Sequence, residues 1–137
     1  MKIYLCASYH RRVELRGYAA QLVALGHTIT STWITTDDDE AALTPEKLAE
    51  IAVADIGGLL AASTVIVFTE PPVTVAKPRG GRHTEFGYAL AAGHNVLVVG
   101  PRENVFHNLP GVRAVDTWES AVAALPSFTD RTRRRIA

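Results

Sequence analysis

Two short apolar runs decide what this chain can fold into, Val65-Ile66-Val67-Phe68 and Val96-Leu97-Val98-Val99. Runs that are apolar at every position and rich in β-branched residues suit strands buried on both faces, not the alternating strands of a half-exposed sheet. Such strands need a covering layer on each side, and the stretches between them carry helical spacing. Residues 2–6, with Ile3-Tyr4-Leu5-Cys6 at the centre, form a first strand. Val13, Leu15, Tyr18, Leu22 and Leu25 recur along a first helix that Gly26 closes. Residues 27–33 alternate Ile29, Ser31 and Trp33 with threonines and read as a second strand. Thr44-Pro45-Glu46 opens a second helix, with Thr44 as N-cap and Pro45 at the first position, and apolar spacing carries it to Leu60. Within it, Gly57-Gly58 either kinks the helix or admits a close neighbour. Strands at 65–69 and 95–99, a helix over 86–92, a short strand at 112–115 and a last helix from Asp116 or Thr117 to 125 complete the series. This alternation predicts an α/β three-layer sandwich around a five-stranded parallel sheet. Ligands in such folds sit beyond the carboxyl ends of the strands, where the loops at 7–12, 69–85 and 100–108 carry polar groups.

At 137 residues the chain fits one domain, taken as 1–126, followed by a basic tail at 127–137. Lys+Arg and Asp+Glu total 14 each, so no global field gathers nucleic acid or membrane. Arg131-Thr132-Arg133-Arg134-Arg135 is read as a solvated terminus, and nucleic-acid binding is not expected. The lone cysteine, Cys6, rules out an internal disulfide and fits a reducing compartment. With neither a membrane span nor a signal peptide, the expected location is cytoplasmic, or a host cytoplasm if the gene is viral. The histidines at 10, 27, 83, 94 and 107 lack ligand spacing, so no structural zinc is expected. Asp37-Asp38-Asp39-Glu40 reads as a solvated acidic loop.

The stretch with most chemistry is Pro78-Arg79-Gly80-Gly81-Arg82-His83-Thr84-Glu85-Phe86-Gly87-Tyr88. Glu85 is expected at a helix start, held ionised by the dipole. A fixed carboxylate suits attack on an anomeric carbon or support of an oxocarbenium-like centre, although a helix-start glutamate placed for the dipole alone explains it equally well. Arg79, Gly80, Gly81, Arg82 and His83 could turn backbone N–H groups and guanidiniums towards an anion, although a surface turn with solvated arginines explains them equally well. The stretch is neither a P-loop nor the dinucleotide fingerprint, and no cofactor is expected. Ser8, Tyr9, His10 and Arg11, with Arg12, follow the first strand. Their positive charge at a helix start would be offset by an anionic ligand, although a capping serine followed by an exposed basic first turn explains them equally well. Asp55 interrupts the apolar face of the second helix beside the glycine pair, where an exposed helix aspartate is the simpler account.

Taken in order, Lys2-Ile3-Tyr4-Leu5-Cys6-Ala7-Ser8, Ala54-Asp55-Ile56-Gly57-Gly58, Thr84-Glu85-Phe86-Gly87-Tyr88-Ala89 and Asn108-Leu109 resemble the nucleoside 2-deoxyribosyltransferase superfamily, including its 2′-deoxynucleoside 5′-phosphate N-hydrolase branch. The resemblance implies a flavodoxin/Rossmann-like sheet with Glu85 as catalytic glutamate and Asp55 at an acidic position kept in the transferases. It also implies a homodimer in which Asn108 reaches the neighbouring active site. Thr64 falls where the hydrolase branch often carries an aspartate near the base. Ser8 with His10 and Arg11 matches that branch's 5′-phosphate loop in kind, and Arg79 and Arg82 add charge a neutral nucleoside does not need.

The expected function is therefore cleavage of the N-glycosidic bond of a (deoxy)nucleoside 5′-monophosphate or nucleoside, with release or exchange of the base. The alternative is an inactive nucleotide-binding or sensing module, favoured by the missing acid at Thr64.

Overall fold

The computed structural model of the chain describes residues 1–71 and 80–128. Its strands are β1 (Lys2–Cys6), β2 (Thr28–Ile29), β3 (Thr64–Phe68), β4 (Asn95–Val99) and β5 (Val112–Val115). The helices are α1 (Arg12–Ala24), α2 (Pro45–Ala61), α3 (Gly81–Ala91) and α4 (Trp118–Ala124). All strand pairs are parallel, in the order β2-β1-β3-β4-β5. This is the flavodoxin-like order, and the chain reverses direction across the sheet between β1 and β3.

The apolar runs lie at the centre, with β3 and β4 buried at every position as expected of strands covered on both sides. On one face, Tyr18 of α1 stacks on Trp118 of α4 at 4.3 Å and on Phe68 of β3 at 5.5 Å. On the other lie α2 and α3, with Tyr4 and Cys6 of β1 beneath them. Thr44 caps α2 by accepting the Lys47 N–H, and Thr117 caps α4 by accepting the Ser120 N–H.

The second strand is shorter than the alternation predicts. Its ladder with β1 ends once the Thr30 N–H has bonded the Ile3 carbonyl. Beyond that point side chains replace the ladder: Ser31 Oγ accepts the Leu5 N–H, and Trp33 Nε1 donates to the Leu5 carbonyl at 2.9 Å. With the edge of β1 satisfied in this way, residues 33–35 turn into a 3₁₀ helix. The glycine pair does not break α2. A Cβ on Gly58 would stand 2.4 Å from the Thr30 carbonyl oxygen, so α2 is pressed onto the chain leaving β2. The packed chain also passes the expected boundary at 126: Leu125–Ser127 form a 3₁₀ turn and Phe128 packs on the core. Residues 129–137, with the arginine-rich tail, lie outside the described residues.

Candidate active site

Helix α3 begins earlier than the sequence suggests. Gly80 takes φ 71°, a left-handed conformation open to glycine, and Gly81 to His83 are already helical. Glu85 therefore sits in the second turn, where the helix dipole no longer holds it as expected. Its environment is set by β1 instead. Because side chains alternate along a strand, Tyr4 and Cys6 point to the same face, two residues apart. The Tyr4 phenol donates to Glu85 Oε1 at 2.7 Å, and the Cys6 thiol donates to Oε2 at 2.9 Å.

Burial pushes the Glu85 carboxyl up from its ordinary value, while the hydrogen bonds from Cys6 and Tyr4 pull it back down. Asp55, half-buried on α2, is pushed up to about 6, first by desolvation and then by the charge of Glu85. Burial and the same carboxylate also raise Tyr4 and Cys6, so both remain protonated donors at neutral pH. Two carboxyl groups thus share one electrostatic site, steadied by a phenol and a thiol.

A second cluster lies one turn earlier on α3. Arg82 Nε contacts Ser8 Oγ at 3.4 Å, and its Nη1 pairs with Glu103 Oε2. The other Glu103 oxygen accepts the Glu70 N–H at 2.6 Å, and His83 Nε2 stands 3.6 Å from the Arg82-bound one. The Arg82 backbone carbonyl lies 3.4 Å from Cys6 Sγ, so the two clusters adjoin.

The free basic first turn anticipated at 9–12 is not present. Arg11 makes two hydrogen bonds to Glu14, and Arg12 and Arg16 both reach Asp37. The chain's own carboxylates offset the positive helix start. Ser8 makes no cap hydrogen bond, and the Tyr9 hydroxyl turns away to the Asp38 carbonyl at 3.0 Å. His10 and Arg11 line a separate cavity of about 610 Å³ with Glu14, Thr69, Glu70 and Asp116. Glu85, Tyr4, Cys6 and Asp55 are not part of its wall.

Thr64 is not near the site. It pairs with Ile3 and Asn95, so its side chain leaves the sheet on the face opposite Tyr4 and Cys6. Its fully buried hydroxyl contacts Asn95 Nδ2 and Met1 Sδ. Asn108 is exposed in the 3₁₀ turn Val105–Asn108, its amide on the Asn104 carbonyl. Arg79 lies outside the described residues. Among the described residues no group of three or more His, Cys, Asp or Glu is placed to hold a metal ion. Nor is any described helix long and apolar enough to cross a membrane.

Sequence reasoning singled out Glu85 and Asp55 but not Tyr4 and Cys6, the side chains bonded to Glu85. Strand alternation would have put Tyr4 and Cys6 on one face, but nothing local ties that face to residue 85. Glu103 stood in a loop noted only as polar.

Solved structures with the same architecture fix the fold. A 2-deoxyribosyltransferase from the psychrotolerant bacterium Bacillus psychrosaccharolyticus matches with a TM-score of 0.66 at 16% identity, over 88% of this chain and 90% of that one. The chain has a 2-deoxyribosyltransferase-like fold. A CMP N-glycosidase from Clostridium botulinum shares that fold with a TM-score of 0.56 at 14% identity, over 93% of this chain and 100% of that one. A conserved protein from Enterococcus faecalis V583 does so with a TM-score of 0.59 at 18% identity, over 93% and 98%. No protein-family model and no curated protein matches the sequence. The likeness to the deoxyribosyltransferase fold is thus one of architecture.

Proposed function

We propose that this protein cleaves the N-glycosidic bond of a nucleoside or nucleoside 5′-monophosphate, with Glu85 as nucleophile. The observation that carries the reading is the carboxylate of Glu85 held on both oxygens, by Tyr4 and Cys6, at the switch point of the sheet. A catalytic carboxylate must be fixed and desolvated yet still able to ionise, and burial opposed by two hydrogen bonds meets both needs. The fold shared with a 2-deoxyribosyltransferase and a CMP N-glycosidase supports the same chemistry.

In the first step a Glu85 oxygen attacks C1′ from the face opposite the base. The C1′–N bond breaks, its electron pair goes to the base nitrogen, and a proton follows. Asp55 is the proposed proton donor, because a carboxyl group titrating at about 6 keeps a protonated fraction at neutral pH. Water then attacks C1′ and gives a proton to the Asp55 carboxylate, while the bond from C1′ to Glu85 breaks and its electron pair returns to the Glu85 carboxylate, giving base and sugar. A second base that attacks through a ring nitrogen and loses its proton in the same way gives exchange. Ser8, Arg82 and His83, with Gly80 and Gly81 at the helix start, are the proposed contacts for the sugar end. Two copies of the chain are proposed to pair, Asn108 of one reaching the site of the other.

Chromatography of free base after incubation with a panel of nucleosides and their monophosphates tests this directly. Glu85→Gln should lower base release by up to about 10⁶-fold, the scale seen when a nucleophile is removed. Full activity in that variant, with the fold intact, would remove Glu85 from the mechanism. Thr64, whose missing acid favours binding without turnover, lies on the other face of the sheet from Tyr4 and Cys6. Saturable binding with no free base from any compound of the panel would uphold that second reading.

A further inference from the structure

Glu103 sits against Arg82 and His83, the side chains that the sequence offers to an anion. Its carboxylate gathers the Arg82 guanidinium and the Glu70 N–H, with the His83 ring 3.6 Å away. The Arg82 and Glu103 side chains are only 15% and 16% exposed, so water does little to screen the pair. Nor is Glu103 loosely held. Its N–H donates to Nδ1 of His107, which is 1% exposed and meets the Phe86 ring of α3 edge-on at 4.7 Å. The Arg102 side chain bonds the His107 carbonyl and ties down the same turn.

The other described basic side chains near the carboxyl ends of β1 and β3 also face carboxylates, at longer range or in more exposed positions. Arg11 serves Glu14, with Glu70 at 3.9 Å, and His10 stands 3.9 Å from Glu70. A phosphate arriving at Arg82 would meet Glu103 already on Nη1, so it must either part a largely buried carboxylate from its cation or stand beside it, two anions on one guanidinium. A hydroxyl carries no such penalty, and it can bond to a carboxylate oxygen or to Ser8.

We propose that Glu103 is a specificity-determining residue: it holds the anion position on Arg82, so the site takes the neutral sugar end of a nucleoside and rejects a 5′-phosphate. This rests on the reading of Glu85 as the glycosidic nucleophile, and it narrows the substrate within that reading.

The test compares wild type with Glu103→Gln, which keeps an oxygen for the Glu70 N–H but removes the charge. Base release is measured from the common 2′-deoxynucleosides and from their 5′-monophosphates, and the same compounds and inorganic phosphate are titrated calorimetrically. Wild type should favour nucleosides over monophosphates by at least roughly tenfold in kcat/KM. In Glu103→Gln that ratio should fall by about tenfold or more, and inorganic phosphate, inert towards wild type, should bind and compete. A wild type that prefers monophosphates overturns the proposal whether or not the variant folds. So does a folded variant, checked by circular dichroism and melting, whose ratio is unchanged. If wild type releases no base at all, the Glu85 reading falls and the calorimetry still judges this one. Nucleosides binding where monophosphates do not would uphold it; tighter monophosphate binding, or no binding of either, would overturn it.

Discussion

Around Glu85, small changes in hydrogen bonding should register as changes in protonation. Donors to a carboxylate favour its charged form, so removing the phenol in Tyr4→Phe should raise the Glu85 pKa further. The acidic limb of the pH profile for base release should then move up by about one unit, with the ring still packed against Gly58. A profile that stays in place would show that Tyr4 does not tune the nucleophile. Asp55 lends itself to a second measurement, on stability. Its folded pKa of about 6 stands above the ordinary 3.8, so the folded state favours the neutral acid. Its contribution is fully present below pH 3.8 and is lost as the pH rises through about 6. Asp55→Asn should accordingly melt like wild type near pH 3.5 but a few degrees higher at pH 8, a gain on the order of 1 kcal/mol once screening at this half-buried position is allowed for. Equal melting temperatures at both pH values would contradict the shift, and the same variant should lose base release if Asp55 supplies the proton.

The elements show where the sequence could be read and where it could not. Buried strands such as Val65-Ile66-Val67-Phe68 announce themselves, because continuous apolar character has few other uses in a short run. Capped helices do too, and Thr44-Pro45 placed the start of α2 correctly. The second strand misled because Thr28 to Trp33 has the right period but its later residues satisfy β1 with side chains, a tertiary choice that no local pattern encodes. The start of α3 misled for a related reason: Gly-Gly reads as a loop, yet only Gly80 has positive φ while Gly81 is helical. The glycine pair in α2 turns this into an experiment. Nothing lies within 4 Å of a Cβ on exposed Gly57, whereas one on Gly58 meets the Thr30 carbonyl oxygen at 2.4 Å. Gly57→Ala should therefore stabilise by up to about 1 kcal/mol through helix propensity. Gly58→Ala should destabilise by roughly 1–3 kcal/mol, since backbone must move to admit the methyl group. Urea unfolding of the two variants decides it, and equal midpoints would mean that α2 does not press on the Thr30 backbone.

At the scale of the molecule, strand order carries the site: with β1 and β3 adjacent, the reversal between them brings Tyr4 and Cys6 under the helix that follows β3. What one copy leaves uncovered bears on assembly. Along α2, Ala49, Val53, Gly57 and Leu60 follow one another at helical spacing and are all exposed, Val53 to 74%. In the turn that ends at Asn108, Val105 and Phe106 are 75% and 60% exposed. Apolar surface of this kind is commonly covered by a partner, and the proposed partner is a second copy. Sedimentation should then show a dimer, and Val53→Asp should shift it towards monomer. Active-site sharing is tested more sharply by mixing two inactive variants. A Glu85→Gln chain retains Asn108, and an Asn108→Ala chain retains Glu85. In a two-fold dimer of one with the other, one site regains both residues and the other site has neither. Unfolding and refolding the two variants together should recover roughly a quarter of wild-type base release by statistical pairing, while each alone stays low. Hybrid dimers that form without recovery would place Asn108 in its own subunit's chemistry, and each copy would then be a complete enzyme; an Asn108→Ala chain that is active alone would place it in none.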